Sequence, residues 1–297
     1  MYSGIWLPLV TPFRSDKVDV DALQKLTDHY ARTGISGFVV LGTTGEAALL
    51  SEIERVTVLQ AVSDVVTNRL PVLVGVGGLD TREFVREMQR LEHWDIAGFL
   101  VSAPAYLCPD QEGLVWHFEQ IARATQRHIM LYDVPHRTGV PIEAGTVRRL
   151  SELDNVVAIK ACAAERFDAI GALDIDMLCG TDAAFLDCLD ARGVGGIMAS
   201  AHVCADLLVE VQTLAQTGER EGAQTLFDQL RPLVDVLFAT PNPSSIKAML
   251  ALDGWMSEEA RMPITRVSND QRERLVQARE ELDRVKERAE AMLKAVA

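Results

Sequence analysis

The sequence predicts an α/β protein, a (β/α)8 TIM barrel followed by a C-terminal helical domain. Three observations carry this expectation. Eight short apolar runs alternate with amphipathic stretches in a regular order. The runs read as strands buried on both faces. Past Gly218 the pattern turns purely helical. At 297 residues with 48% hydrophobic side chains, the chain is long enough to close such a barrel as one unit. A doubly wound sheet fits less well, because no run leads into a full GxGxxG turn. Gly75-Val76-Gly77-Gly78 reads instead as a tight turn after a strand.

In order, strands are expected at residues 5–10, 37–41, 72–75, 98–102, 129–132, 156–160, 177–179 and 195–198. The stretches between them repeat apolar residues with helical spacing, at 20–33, 52–68, 81–93, 112–125, 144–150, 165–173 and 183–192, and an eighth follows at 205–215. Residues 1–218 are thus assigned to the barrel and 219–297 to the helical domain. The latter divides into helices at 219–239, 244–252 and 269–297, with Pro241-Asn242-Pro243 breaking the first from the second. Leu275, Leu282, Val285, Ala289 and Leu293 share one face of the last helix, which is expected to pack on the barrel.

Lys plus Arg 29 against Asp plus Glu 43 gives a net charge of −14, with a pI near 4.9. That balance disfavours nucleic acid or anionic membrane as a partner, though a local arginine or helix N-terminus can still hold an anionic substrate. The first residues lack the basic and apolar regions of a signal peptide, and no apolar stretch approaches the ~20 residues that span a bilayer. Cys108, Cys162, Cys179, Cys188 and Cys204 are dispersed, without a CxxC pair, as expected of reduced thiols in a cytoplasmic protein. The six histidines show no zinc-binding spacing, so no metal is expected.

Barrel chemistry gathers at the C-terminal ends of the strands. Strand two ends in Gly42-Thr43-Thr44-Gly45-Glu46, where paired hydroxyls and nearby amides suit a small carboxylate; an ordinary N-capped turn is the alternative. Tyr106 lies in the loop after strand four, where packing is the ordinary role of a tyrosine. Tyr132 closes strand five, where its phenol can pass protons, and Arg137 follows on a loop where a guanidinium can grip a carboxylate. Strand six ends in Lys160, the one cation of the run Val156-Val157-Ala158-Ile159-Lys160. At a strand end partial burial should lower its pKa, as an imine-forming lysine requires; a lysine merely reaching solvent is the alternative. The convergence of lysine, tyrosine, threonines and arginine at one mouth points to a metal-free carbonyl enzyme that works through an imine. Cys162 is expected to have turned away, buried and inert.

These motifs also carry a resemblance. Gly42-Thr43-Thr44-Gly45-Glu46, Tyr132-Asp133-Val134-Pro135-His136-Arg137-Thr138-Gly139 and Ile159-Lys160 resemble, in order and spacing, the dihydrodipicolinate synthase/N-acetylneuraminate lyase family. Val10-Thr11-Pro12-Phe13, Gln111-Glu112-Gly113 and Pro241-Asn242-Pro243 extend the likeness over nearly the whole chain. The resemblance implies a homotetramer, a dimer of dimers, without metal or organic cofactor. It implies that Lys160 forms a Schiff base with pyruvate, that Tyr132 acts as acid and base, and that Thr44 with the neighbouring amides, Gly42 among them, holds the pyruvate carboxylate. It makes Thr43 a relay between Tyr132 and Tyr106, the latter reaching in from a neighbouring subunit, and has the Ile197 carbonyl face the nucleophile.

The Arg137-Thr138-Gly139 triplet resembles the synthases, in which that arginine takes the carboxylate of aspartate 4-semialdehyde. The implied reaction condenses this aldehyde with pyruvate to 4-hydroxy-tetrahydrodipicolinate, a step of diaminopimelate and lysine biosynthesis. Ala161, Ala105, Asp133 and His136 depart from the synthase pattern, with His136 read as a bystander. Those departures leave a class I aldolase or dehydratase of another 2-oxo acid as a second reading and a non-catalytic 2-oxo-acid binder as a third. The stretches that bind inhibitory lysine in such families contribute Ala47, Ala48, Glu52, Arg55, Leu79 and Ala105, with only Glu83 fitting, so weak or absent lysine feedback is expected.

Overall fold

Eight parallel strands close into a barrel in the computed structural model, which describes residues 2–67 and 69–296, with side chains through residue 287. The strands are β1 Gly4–Pro8, β2 Gly37–Val40, β3 Val72–Val76, β4 Gly98–Ser102, β5 His128–Asp133, β6 Val156–Ala161, β7 Asp176–Cys179 and β8 Gly195–Ile197. They pair in chain order, and β8 closes on β1 through Gly4 opposite Gly195 and Trp6 opposite Ile197. One apolar side chain from each strand fills the axis: Trp6, Val39, Leu73, Leu100, Met130, Ala158, Leu178 and Ile197. Their chain neighbours point outward under the helices, which is why the strands read as unbroken apolar runs.

The helices α1 Val20–Tyr30, α2 Glu52–Val66, α3 Thr81–Leu91, α4 Gln111–Arg123, α5 Ala144–Leu150, α6 Phe167–Gly171, α7 Phe185–Asp190 and α8 Ala201–Gln216 each follow the strand of the same number. Several starts are fixed locally. Ser51 and Glu54 form a reciprocal capping box at α2, and Asp110 accepts the Gly113 N–H at α4. Three further helices follow, α9 Arg220–Leu237, α10 Ser244–Leu252 and α11 Asn269–Val296. No helix among the described residues is long and apolar enough to cross a membrane.

Some sequence expectations need correction. Gly75 is not in a turn: it lies inside β3 opposite Leu100, and a Cβ there would come within 2.5 Å of the Leu41 carbonyl oxygen. The glycine serves the close approach of two strands. Helices α6 and α7 are shorter than their periodicity suggests, because each is preceded by a 3-10 turn, at Ala164–Arg166 and Asp182–Ala184. Helix α8 begins before residue 205; Cys204 departs from helical geometry (φ −138°, ψ 41°), so regular spacing starts only beyond it. Helix α11 buries Leu275, Leu282 and Val285, and packs chiefly on α9 and α10 rather than on the barrel. The side chains of Ala289 and Leu293 lie outside the described residues, as do Asn68 and Ala297, the expected last residues of two helices.

The C-terminal helices are tied to the loop after β2. Glu46, in a left-handed conformation at φ 53°, forms a fully buried ion pair with Lys247 of α10. Its other oxygen accepts the Arg261 N–H at 2.9 Å. The Lys247 ammonium also donates to the Glu259 carbonyl at 2.9 Å and lies 4.2 Å from the Phe13 ring centroid. Burial nonetheless pulls the Lys247 pKa down to about 8.

Candidate active site

A cavity of about 650 Å³ opens at the C-terminal ends of the strands. Gly42, Thr43, Thr44, Tyr132, Arg137, Lys160 and Ile197 all line it, so seven of the eight residues singled out in the sequence converge. The segment from α9 to α10 supplies the facing wall, with Val234, Asp235, Phe238, Thr240 and Asn242. A second hollow of similar volume, between α2 and α3, offers Arg69 and His93, but Arg69 is already bound to Asp28 at 2.8 Å.

Lys160 and Tyr132 are directly opposite each other in the β5–β6 register. Both continue the inward-facing rows of Met130 and Ala158, so alternation aims lysine and phenol into the barrel mouth. The Lys160 ammonium stands 4.5 Å from the centroid of the Tyr132 ring, and the side chain is only 7% exposed. The expected lowering of its pKa is not what the surroundings produce. Burial disfavours the ammonium and is the largest single influence. Tyr132 is the largest opposing influence, with Asp182 beside it, and the net direction is above the ordinary lysine value.

Thr43 and Thr44 enter from the loop after β2. That loop is fastened by the Thr11 hydroxyl, which donates to the Gly45 carbonyl at 2.7 Å, and by Asn242, whose amide donates to Thr44 Oγ1 at 2.9 Å. Arg137 sits exposed on the single helical turn Pro135–Thr138, which ends at Gly139 with φ 79°. Ile197 is the last residue of β8 and is buried.

Tyr106 is the exception. It stands outside the cavity of its own chain, 86% exposed, in a left-handed backbone conformation at φ 67°. His136, read from sequence as a bystander, lines the cavity beside Arg137. Partial burial, Arg137 and Lys160 all push its pKa down, which favours the neutral ring. Cys162 has not turned away. The strand ends at Ala161, yet the half-buried thiol still lines the cavity and donates to the Gly180 carbonyl at 3.3 Å. Burial pushes it up to about 11, so it remains a thiol at neutral pH.

Asp133, one of the departures from the synthase pattern, has visible partners. It is buried, accepts the Ile142 N–H at 2.9 Å, and has Arg166 Nε at 3.5 Å. Asp182 and Asn242 were missed as wall residues. Asp182 follows β7, a strand end not read for chemistry, and accepts the Ser200 N–H at 2.7 Å. Asn242 had its signal in the paired prolines around it, which mark a break but not where the break lies.

A closed barrel with its reactive side chains gathered at the C-terminal mouth defines an enzyme of the (β/α)8 class. The chain belongs to the dihydrodipicolinate synthetase family, which it matches over residues 1–282. It is 37% identical over 278 residues to the 4-hydroxy-tetrahydrodipicolinate synthase 2 of Clostridium acetobutylicum, covering 92% of this chain and 97% of that one. The 4-hydroxy-tetrahydrodipicolinate synthase of Syntrophus aciditrophicus is 36% identical over 281 residues, with 93% and 96% covered. Among solved structures, the chloride-inhibited dihydrodipicolinate synthase of Acinetobacter baumannii complexed with pyruvate superposes with a TM-score of 0.91. It shares 31% identity and covers 94% of this chain and 98% of that one.

Proposed function

We propose that this enzyme condenses pyruvate with L-aspartate 4-semialdehyde to 4-hydroxy-tetrahydrodipicolinate, in diaminopimelate and lysine biosynthesis, in the cytoplasm. The observation that carries the reading is the in-register pair of Lys160 and Tyr132 at the mouth, with Arg137 on the same cavity. Membership of the family and full-length relatives named as this synthase support it. So does the relative solved with pyruvate.

In this reading the Lys160 amine adds to the pyruvate ketone and expels water, giving an imine. Tyr132 moves the protons, and Thr44 with the Gly42 backbone holds the pyruvate carboxylate while the Ile197 carbonyl faces the reacting nitrogen. Loss of a methyl proton gives the enamine, whose carbon attacks the aldehyde. The acceptor's own amine then adds to the imine carbon, releases Lys160 and closes the ring. Arg137 answers a specific need: an acceptor bearing a carboxylate requires a cation, and Lys160 ceases to be available once it is bonded to pyruvate.

Borohydride with pyruvate is expected to fix a pyruvate-derived mass on Lys160, located by peptide mapping, and aspartate semialdehyde is expected to yield the cyclic product. An unmodified Lys160 in folded protein would refute the imine. An adduct without ring product would move the acceptor to another aldehyde.

The exposed position of Tyr106 supports a site completed by a second subunit, within a homotetramer, with Thr43 relaying protons between Tyr106 and Tyr132. Mixing inactive Lys160→Ala and Tyr106→Phe chains tests this. A tyrosine acting across the interface restores part of the activity, because the Tyr106→Phe chain keeps its lysine and borrows the partner's phenol. No recovery in a demonstrated mixed oligomer would rule out that arrangement.

A further inference from the structure

The segment joining α9 to α10 contributes more than a wall. Asn242 Nδ2 donates to Thr44 Oγ1 at 2.9 Å, and Thr44 is 4% exposed while lining the cavity. A hydroxyl has one proton and two acceptor positions. With one position filled by the amide, the proton must point away from Asn242. Among the described residues the Thr44 hydroxyl has no protein acceptor, and the cavity is what lies before it.

The amide orientation decides this outcome. With the amide reversed, the carbonyl oxygen would face Thr44 and draw its proton back. In the observed orientation that oxygen, Asn242 Oδ1, is buried without a partner. Two residues further on, the same loop is held to the same C-terminal segment by the Glu46–Lys247 ion pair. The two links run in parallel and fix the distance between the threonine loop and Asn242.

We propose that Asn242 is a positioning residue for the 2-oxo acid: by occupying one side of the Thr44 hydroxyl it presents the hydroxyl proton to the substrate carboxylate. This rests on the reading of the site as a pyruvate-binding imine enzyme. The C-terminal helices would thereby set the affinity for the first substrate without touching the bond that changes.

The test titrates pyruvate in the borohydride adduct assay with the full-length wild type, Asn242→Ala, Thr44→Val and the double variant. Asn242→Ala is expected to raise the half-saturating pyruvate concentration about tenfold, the worth of one oriented hydrogen bond to a charged group. Adduct formation at saturating pyruvate and the acceptor KM should hold within about twofold, as expected of a uniform binding effect. In the Thr44→Val background the same substitution should add less than about twofold, because its route is gone. Asn242→Asp keeps the shape and turns donor into acceptor, so it should bind pyruvate more weakly than Asn242→Ala; it also serves if the alanine variant misfolds. A wild-type titration unchanged by either variant, or an undiminished Asn242→Ala effect beside Thr44→Val, overturns the inference alone. A wild type that forms no adduct overturns the functional reading, and this inference with it.

Discussion

Asp133 and Arg166 show how a buried carboxylate at a strand end is accommodated. Burial raises the Asp133 pKa, while the Ile142 N–H and the Arg166 guanidinium favour its charged form. Removing only the cation should be the more damaging change, because it leaves a buried carboxylate uncompensated. Arg166→Met is expected to cost about 3–5 kcal/mol, and Asp133→Asn, which keeps an oxygen for Ile142, about 1 kcal/mol. Urea unfolding of both variants checks the order; equal losses would mean that the pair is not coupled. Both sites lie at the strand ends that carry chemistry. The sequence showed Asp133 as a departure but not its partner, since Arg166 is brought to it by the 3-10 turn after β6.

At the scale of elements, the loop after β2 and helix α10 behave as one unit. Lys247 is fully buried against Glu46, so Lys247→Met should destabilise the protein by about 3–5 kcal/mol. Pairing it with Glu46→Gln should recover much of that loss, since the stranded charge disappears. Thermal melts of the single and double variants decide it, and a double variant no better than Lys247→Met would count against the coupling. Strands and helices of the barrel were legible because interior and exterior side chains alternate within apolar runs, as Leu131 and Tyr132 or Ile159 and Lys160 do. The lysine and its hydroxyl neighbours were legible by the strand-end rule. The wall from α9 to α10 was not, because Val234, Phe238 and Asn242 reach the cavity only through packing between segments far apart in sequence. The upward direction of the Lys160 pKa was also hidden. Burial could be read from β6, but Tyr132 and Asp182, which help outweigh it, arrive from β5 and from the turn after β7.

The whole molecule carries a sensitivity to acid. His117 and His202 are buried, and burial brings both pKa values down to about 4. His202 accepts the Val10 N–H on Nε2, so a proton there would face another donor. His117 is held between the Thr81 hydroxyl at 2.8 Å and the Ser102 carbonyl at 3.3 Å. Between pH 6.5 and 4 the unfolded chain takes up protons that the folded one refuses. Each histidine should therefore remove roughly 3 kcal/mol of stability over that window, with none lost above it. Denaturant midpoints measured at pH 7 and pH 4.5 test the slope, which a flat profile would contradict. The position of the facing wall has a different consequence. Lys160 and Tyr132 leave the ribosome well before Val234 and Asn242 do. A nascent barrel thus carries its amine and phenol while one side of the pocket is still unmade. On the proposed reading of this cavity, competence to hold a 2-oxo acid would come late in synthesis, when the α9–α10 segment docks, and a ribosome-bound chain halted before residue 234 should leave pyruvate untouched.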